Sequence, residues 1–426
     1  NVPASMELAC REIKMMRSGV RRFGKMLLNN ARSYGDKRSA VILGIETSCD
    51  DTGCAVVDGD GNVLGEALDS QQQTHLNYGG IVPPIAQAMH RENITEVCEK
   101  AMRSANVRLR DVDAVAATVK PGLELSLMIG MTFGKYLSRV GGKPFIPIHH
   151  MEAHALTARM VEKVDFPFLV LLISGGHCLL AVAKDVATFC LLGKSIDNAP
   201  GESLDKAARR LKLRNLPDFS CLNGGAAIEL AASRATDPTQ FAFDLPIAQY
   251  RDCNFTFSGL QNKIIRYAIR LEREHNIMGD ALVPDINNLC AGFQMAVAKH
   301  LAHRTRRAME FCVSNDVIPY EKQTLVVSGG VACNNFIAKA LKVVCDEMDW
   351  RLVRPPPKLC TDNGIMIAWN GVERWIADEG VLRDRAKIEE VDVEKKAPFG
   401  EDWTSRVADA KIGCKTIKTK QLYDSS

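Results

Sequence analysis

The chain has 426 residues, 46% hydrophobic and 25% charged, the composition of an ordinary globular protein of roughly two or three domains. Lys and Arg total 54 against 51 Asp and Glu, so the net charge of +3 neither announces a nucleic-acid binder nor excludes one. The longest apolar run, residues 166–173, falls far short of the ~20 residues a membrane-spanning helix needs, and the composition excludes disorder, collagen and coiled coil.

Residues 1–40 carry nine Lys or Arg against three acids. Met16, Val20, Phe23 and Leu27 fall at helical spacing with Arg17, Arg21, Arg22 and Lys25 between them. Arg-rich, amphipathic and nearly acid-free is the composition of a mitochondrial transit peptide; a solvated basic arm or a helix packed on the domain is the plainer alternative.

From Val41 the text changes. Residues 41–45 read as a strand, 46–51 as a polar turn and 54–57 as a second strand; Asp58-Gly-Asp-Gly-Asn62 makes a hairpin turn into a third strand at 63–67. The same order returns about 125 residues later, with strands at 168–173, 178–183 and 188–192. Each hairpin unit is followed by helical stretches and a parallel-type strand, at 114–118 and at 324–327. A unit built twice implies an α/β protein of two similar actin-like (ribonuclease H-like) lobes with an active-site cleft between them. The expected bounds are 41–166 and 167–380, followed by a charged tail at 381–426. The fourteen cysteines contain no Cys-x-x-Cys and fall in apolar or helical patterns, as at Cys178, Cys190, Cys290 and Cys312. They read as buried thiols in a reducing compartment.

Ligands of open α/β sheets bind past the carboxyl ends of strands. Four polar turns stand there: 46–51, 174–177, 328–335 and 361–364. Two contain Ser-Gly-Gly, whose glycines let backbone N–H groups approach an oxyanion. His150 and His154 are spaced i, i+4, so both rings leave one helix face about 6 Å apart at Cβ, a spacing that suits a divalent metal and equally a pair of capping histidines. Glu152 is one position too late for the His-Glu-x-x-His signature, which argues against a metalloprotease. Asp362 is the candidate third ligand, unless it caps the helix at 365–376. Two histidines and one carboxylate with open positions hold Fe(II) and some catalytic zinc.

Gly44-Ile-Glu-Thr-Ser-Cys-Asp-Asp51, Gly79-Gly-Ile-Val-Pro83, His149-His-Met-Glu-Ala-His154, Ser174-Gly-Gly-His177, Ser328-Gly-Gly-Val331 and Thr361-Asp-Asn-Gly364 resemble, in this order, the motifs of the TsaD family of tRNA N6-adenosine threonylcarbamoyltransferases. The match runs from about residue 41 to 376 and, with the basic N-terminus, looks like the mitochondrial branch. The resemblance implies transfer of a threonylcarbamoyl group from threonylcarbamoyl-AMP to N6 of the adenosine beside the anticodon of tRNAs reading codons that begin with A. It implies one metal ion (Fe or Zn) per subunit on His150, His154 and Asp362, a homodimer, no membrane insertion and residence in the mitochondrial matrix. Ser174, Gly175, Gly176, His177 and Cys178 would cradle the adenylate; Asp205, Gly225, Glu229, Cys333, Asn334 and Thr361 would line the nucleoside side. Cys178 stands where relatives often carry Thr, and Cys333 where Ser or Ala is common, so neither side chain inherits a relative's hydroxyl bond.

Asp50 and Asp51, just past the first strand, are candidate proton acceptors, with loop-holding Asx bonds the equal alternative. Two basic stretches are candidate tRNA contacts or plain solvated faces: Lys206, Arg209 and Arg210 in the first, and 299–307 in the second. An actin-like ATP-binding chaperone is the non-enzymatic alternative, needing the phosphate loops but no histidine pair.

Overall fold

In both halves an apolar strand meets a short polar turn and doubles back, and the computed structural model, which describes residues 39–423, shows what this builds. The transit-peptide expectation falls on residues 1–40 and so lies almost wholly outside the described residues. The chain forms two compact units, one from the described residues up to Met160 together with 362–397, the other from Val161–Thr361 together with 398–423.

The first unit carries strands β1 (Val41–Glu46), β2 (Asp51–Asp58), β3 (Val63–Ser70), β4 (Ala114–Lys120) and β5 (Phe145–His149) in the order β3-β2-β1-β4-β5. β1, β2 and β3 are antiparallel, while β4 joins β1 and β5 joins β4 in parallel. β1 is buried along its whole length, as a central strand covered on both faces must be. In the hairpin turn the Asp58 carboxylate accepts from the Asp60 and Asn62 N–H groups, and Gly61 supplies the left-handed φ of 83°. Leu43, Ile45 and Val56 face the helices Pro83–Ser104 and Glu124–Gly141 through Ile94, Val97, Ile129 and Phe133. On the opposite face the helix Gly364–Ala377 lies directly on the hairpin. A Cβ on Gly44 would stand 2.2 Å from the Ala368 nitrogen, and one on Gly364 would stand 2.5 Å from the Cys54 carbonyl carbon. Backbone touches backbone there, which only glycine permits.

The second unit repeats the plan with β6 (Phe168–Ile173), β7 (Cys178–Ala183), β8 (Phe189–Lys194), β9 (Thr324–Ser328) and β10 (Arg351–Val353), and adds β11 (Glu401–Asp402) in the order β10-β9-β6-β7-β8-β11. The pairing senses match the first unit, antiparallel through the hairpins and parallel for β6, β9 and β10. Twofold use of one topology is therefore present as the sequence implied. β10 escaped the sequence reading because it has three residues and opens on an exposed arginine.

Two expectations need correction. The basic stretch 299–307 is neither an RNA face nor a solvated surface. It lies within the helix Ile286–Ser314, which runs through the core, and Arg304 and Arg307 are buried. Arg304 donates to the carbonyls of Ile247, Tyr250 and Asp252, and Arg307 to those of Tyr250, Asp252 and Ile412. His300 Nε2 accepts from the Thr256 N–H; burial, with Arg304 beside it, pushes its imidazole down to about 3 and keeps it neutral. Nor is 381–426 a tail. The helix Gly364–Ala377 and residues up to 397 belong with the first unit, where Glu394 N–H meets the Val119 carbonyl. Residues from 398 onward belong with the second, where Val407, Ile417 and Leu422 enter the core. Trp403 is clasped there by Lys184 and Arg406, at 4.2 and 3.8 Å from the ring centre.

Candidate active site

β5 ends at His149 and the helix His150–Val161 begins without a break, so two successive histidines meet two different tasks. His149 Nδ1 accepts from the Met151 N–H and serves the helix start. His150 and His154 project together, with ring centres 4.7 Å apart and planes at 88°. Both aim Nε2 at Asp362 Oδ1, His150 at 3.6 Å and His154 at 3.1 Å. Asp362 does not cap the following helix; Asn363 does, its side chain accepting from the Met366 N–H. One ligand atom from each of His150, His154 and Asp362 lies within 4.8 Å of the others, with both histidines buried. Two neutral-capable imidazoles and a carboxylate at this separation fit a divalent cation, which would draw them in to about 2.0–2.2 Å each.

The sequence reading missed what holds these groups. Glu46, at the end of β1, is buried completely. It accepts from the Thr118 hydroxyl at 2.5 Å and from the Ser48 N–H at 2.5 Å, and faces His150 Nδ1 at 3.3 Å. Ser48 Oγ lies 3.1 Å from the same nitrogen. A carboxylate on Nδ1 fixes the ring and leaves Nε2 for a cation. Burial would push the His150 imidazole down, but Asp362 and Glu46 outweigh it and raise it to about 9. Burial likewise opposes ionisation of Glu46, yet His150 and Ser48 hold its carboxyl below the usual range. A buried Glu closing an apolar strand was the available signal.

Two ion pairs then lock the helix of the histidines to the helix behind Asp362. Arg374 donates to Glu152 at 2.6 Å, and Arg159 grips Glu373 through two nitrogens at 2.7 and 3.3 Å. The Trp369 indole N–H adds a bond to the Leu156 carbonyl. Glu152, already one position too late to be a metalloprotease's base, is thus a partly buried structural partner.

Asp51 opens β2 opposite Ser70. Its Oδ1 is buried without a hydrogen-bond partner. Burial, with Asp362, Asp50 and Glu46 adding repulsion, raises its carboxyl to about 7. Burial and Asp362 raise Asp50 as well. The Asx alternative has no support at Asp51, whose side-chain partner is Ser70.

In the second unit the turn after β6 is closed by Ser174 N–H on the His177 carbonyl and by His177 N–H on Ser174 Oγ, at 2.9 and 3.1 Å. Gly175 and Gly176 stand exposed, with nothing within 4 Å of where a Cβ would be. Cys178 is different: its side chain lies in the apolar core, so only its backbone can meet a ligand. Asp205 accepts from the N–H groups of Gly224 and Gly225, which open the helix Gly224–Ser233. Glu229 accepts from the Asn335 N–H at 2.7 Å, at the start of the helix Asn335–Met348. Asn334 caps that helix through Oδ1, which also receives the Gln294 amide, while its buried Nδ2 has no partner. Cys333 lies half-buried just before it, and Thr361 is exposed. Asp205, Gly225, Glu229 and Asn334 are therefore joined through two helix N-termini, with carboxylate oxygens to spare for hydroxyl donors.

The first basic stretch is partly committed. Lys206 pairs with Glu202 at 2.7 Å, and Arg210 holds Glu272 through two nitrogens at 2.8 and 2.6 Å. These bonds pull the Glu272 carboxyl down to about 2. Arg209 is exposed.

Comparison with known proteins places the chain in a family. Residues 62–369 match the model of the family TsaD, tRNA N6-adenosine threonylcarbamoyltransferase. The mitochondrial tRNA N6-adenosine threonylcarbamoyltransferase of Danio rerio is 49% identical over 90% of this chain and 94% of its own length. That of Homo sapiens is 49% identical over 89% and 90%. The Rhizobium meliloti (strain 1021) tRNA N6-adenosine threonylcarbamoyltransferase is 42% identical over 79% and 90%. Among solved structures, T. kodakarensis HypF superposes with a TM-score of 0.52 at 13% identity, covering 80% of this chain and 48% of HypF, a likeness of fold alone. The chain belongs to the TsaD family of tRNA N6-adenosine threonylcarbamoyltransferases.

Proposed function

We propose that this chain moves the threonylcarbamoyl group of threonylcarbamoyl-AMP onto N6 of the adenosine beside the anticodon, in mitochondrial tRNAs reading codons that begin with A. The single observation that carries the site assignment is the convergence of His150 Nε2 and His154 Nε2 on Asp362 Oδ1. A divalent ion, iron or zinc, held by these three would supply Lewis acidity toward a carbonyl or phosphate oxygen. The N6 amine attacks the carbamoyl carbon, the new C–N bond forms, the bond to the adenylate oxygen breaks and AMP leaves. The amine proton passes to the carboxylate of Asp51, which opens β2 just past the turn that follows β1. Gly175 and Gly176 offer backbone N–H groups to the charged adenylate, and Asp205 and Glu229 accept from ribose hydroxyls.

Names of the relatives support the mitochondrion, and the matrix follows from where mitochondrial tRNA is made. No helix among the described residues is long and apolar enough to cross a membrane. The homodimer is tested by sedimentation. The activity is tested by incubating the purified chain with threonylcarbamoyl-AMP and unmodified tRNA. Threonylcarbamoyladenosine should appear in the digested product, and its absence with metal-loaded protein would overturn the reading.

A further inference from the structure

The chain between β1 and β2 carries both candidate proton acceptors, Asp50 and Asp51, and three separate segments fix its path. The Ser48 carbonyl accepts from the Leu123 N–H at 2.8 Å, and the Asp50 carbonyl from the Gln71 N–H at 3.0 Å. Between them, the Cys49 carbonyl accepts at 3.0 Å from Nε2 of His90, which stands in the helix Pro83–Ser104. The other nitrogen of that ring, Nδ1, lies 2.7 Å from the Thr52 hydroxyl. His90 and Thr52 are both completely buried.

A carbonyl only accepts, so Nε2 carries the ring proton and Nδ1 takes that of the Thr52 hydroxyl. Burial holds the imidazole below the usual histidine range, which preserves this neutral form. Both ring nitrogens are thus committed to one four-residue stretch, at the residue before Asp50 and at the residue after Asp51. The ring bridges the two ends of a stretch whose middle is the pair of carboxylates. Leu123 and Gln71 contribute main-chain N–H groups, which almost every residue type supplies. Of the three donors, His90 alone depends on its side chain.

We propose that His90 is a positioning residue for the transfer reaction: by tying the Cys49 carbonyl to the Thr52 hydroxyl, it holds the Asp50 and Asp51 carboxylates where the amine proton is received. The inference rests on the reading of Asp51 as the proton acceptor. Proton transfer needs donor and acceptor within about 2.6–3.2 Å of each other. A displacement of about 1 Å in a reacting geometry costs on the order of 100-fold in rate. Freed from the ring, the stretch keeps its two main-chain bonds and loses the tie that spans the carboxylates. Substrates should then bind as before, while the chemical step slows.

The test compares His90→Phe, His90→Gln and Asp51→Asn in the full, metal-loaded chain, with kcat and KM measured separately for threonylcarbamoyl-AMP and unmodified tRNA. Phenylalanine fills the space of the ring and makes neither bond, so kcat should fall about 10- to 100-fold with both KM values little changed. Glutamine, whose amide can donate to the Cys49 carbonyl, should recover most of that loss. Wild-type kcat in Asp51→Asn would overturn the acceptor reading and this inference with it. Loss of transfer in Asp51→Asn beside wild-type kcat in His90→Phe would overturn the role of His90 alone. Should His90→Phe not fold, Thr52→Val removes one of the two bonds at matched volume and decides. Its kcat should fall about 3- to 10-fold, and a wild-type value would overturn the proposal. Rises in both KM values as large as the fall in kcat, or no recovery with glutamine, would also overturn it, since each marks a damaged fold rather than a misplaced carboxylate.

Discussion

Replacing Glu46 by Gln tests whether the residue behind His150 sets that ring's tautomer. The glutamine has the same shape and keeps one acceptor oxygen, so the Ser48 N–H at 2.5 Å can stay satisfied through Oε1. The second oxygen, which faces His150 Nδ1 at 3.3 Å and receives the Thr118 hydroxyl, becomes an NH2 group. A donor facing Nδ1 favours the tautomer with its proton on Nε2, pointing at Asp362 where a cation would bind. Partners of ligating histidines are worth 10- to 100-fold in metal affinity, about 1.4–2.7 kcal/mol at 1.36 kcal/mol per decade. Competition titration of the metal-stripped protein with a zinc chromophore should show a loss in that range. Nitrogen NMR of His150 in the metal-free protein, taken above pH 9 where the wild-type ring is neutral, should show the tautomer reversed. Zinc affinity within twofold of wild type, with the variant folded, would refute the positioning role of Glu46.

Four other outcomes are expected. In metal-free protein His150 is raised to about 9, so its contribution to stability is present at neutral pH and lost as pH rises through 9; zinc binding should displace about one proton between pH 7 and 8, read by calorimetry in buffers of different ionisation heat. Asp51, raised to about 7, stabilises the metal-free fold at acid pH and less as pH rises through 7, so Asp51→Asn should raise Tm at pH 8 more than at pH 5 while abolishing transfer. Arg374→Met strands the partly buried Glu152 and should cost up to about 3 kcal/mol in urea unfolding, with Glu152→Leu/Arg374→Met recovering most of it. Arg209→Gln should raise KM for tRNA and reduce the salt slope by about one unit, whereas Arg210→Gln should cost at most about 1 kcal/mol through the lost Glu272 pair. An unchanged salt slope for Arg209→Gln would move the RNA footprint elsewhere.

Strands and their turns were legible because β1, β6 and β9 are apolar runs closed by polar turns, with Ser-Gly-Gly after β6 and β9, and burial on both faces demands that pattern. The histidine pair of the candidate metal triad was legible because His150 and His154 share a helix face. The residues that hold it were not. Glu46, Arg374 and Glu373 come from distant stretches, and their pairing depends on which faces the glycines at 44 and 364 bring together. The arginines of 299–307 misled for a related reason. A run of Lys and Arg reads as surface unless carbonyls converge on it, and those carbonyls belong to residues some fifty to a hundred positions away. The partition of 362–426 between the units was hidden in the same way, since β11 has two residues and its neighbours are short helices.

The acceptors that Arg304 and Arg307 grip are main-chain oxygens of Ile247, Tyr250, Asp252 and Ile412. A peptide oxygen is supplied by every residue type, so apart from the Asp252 carboxylate at 3.5 Å the grip is indifferent to the side chains along the gripped segments. Apart from Asp252, whose carboxylate also lies 3.5 Å from Arg304, and Cys253, which is buried in the core, the exposed residues 248–251 and the stretch around 412 are accordingly free to drift in composition, provided their path and length are kept. Insertions and deletions there would misplace the oxygens and strand two buried guanidinium groups, whereas substitutions would leave the anchorage whole. Evolution can therefore retouch this surface of the second unit without renegotiating its core.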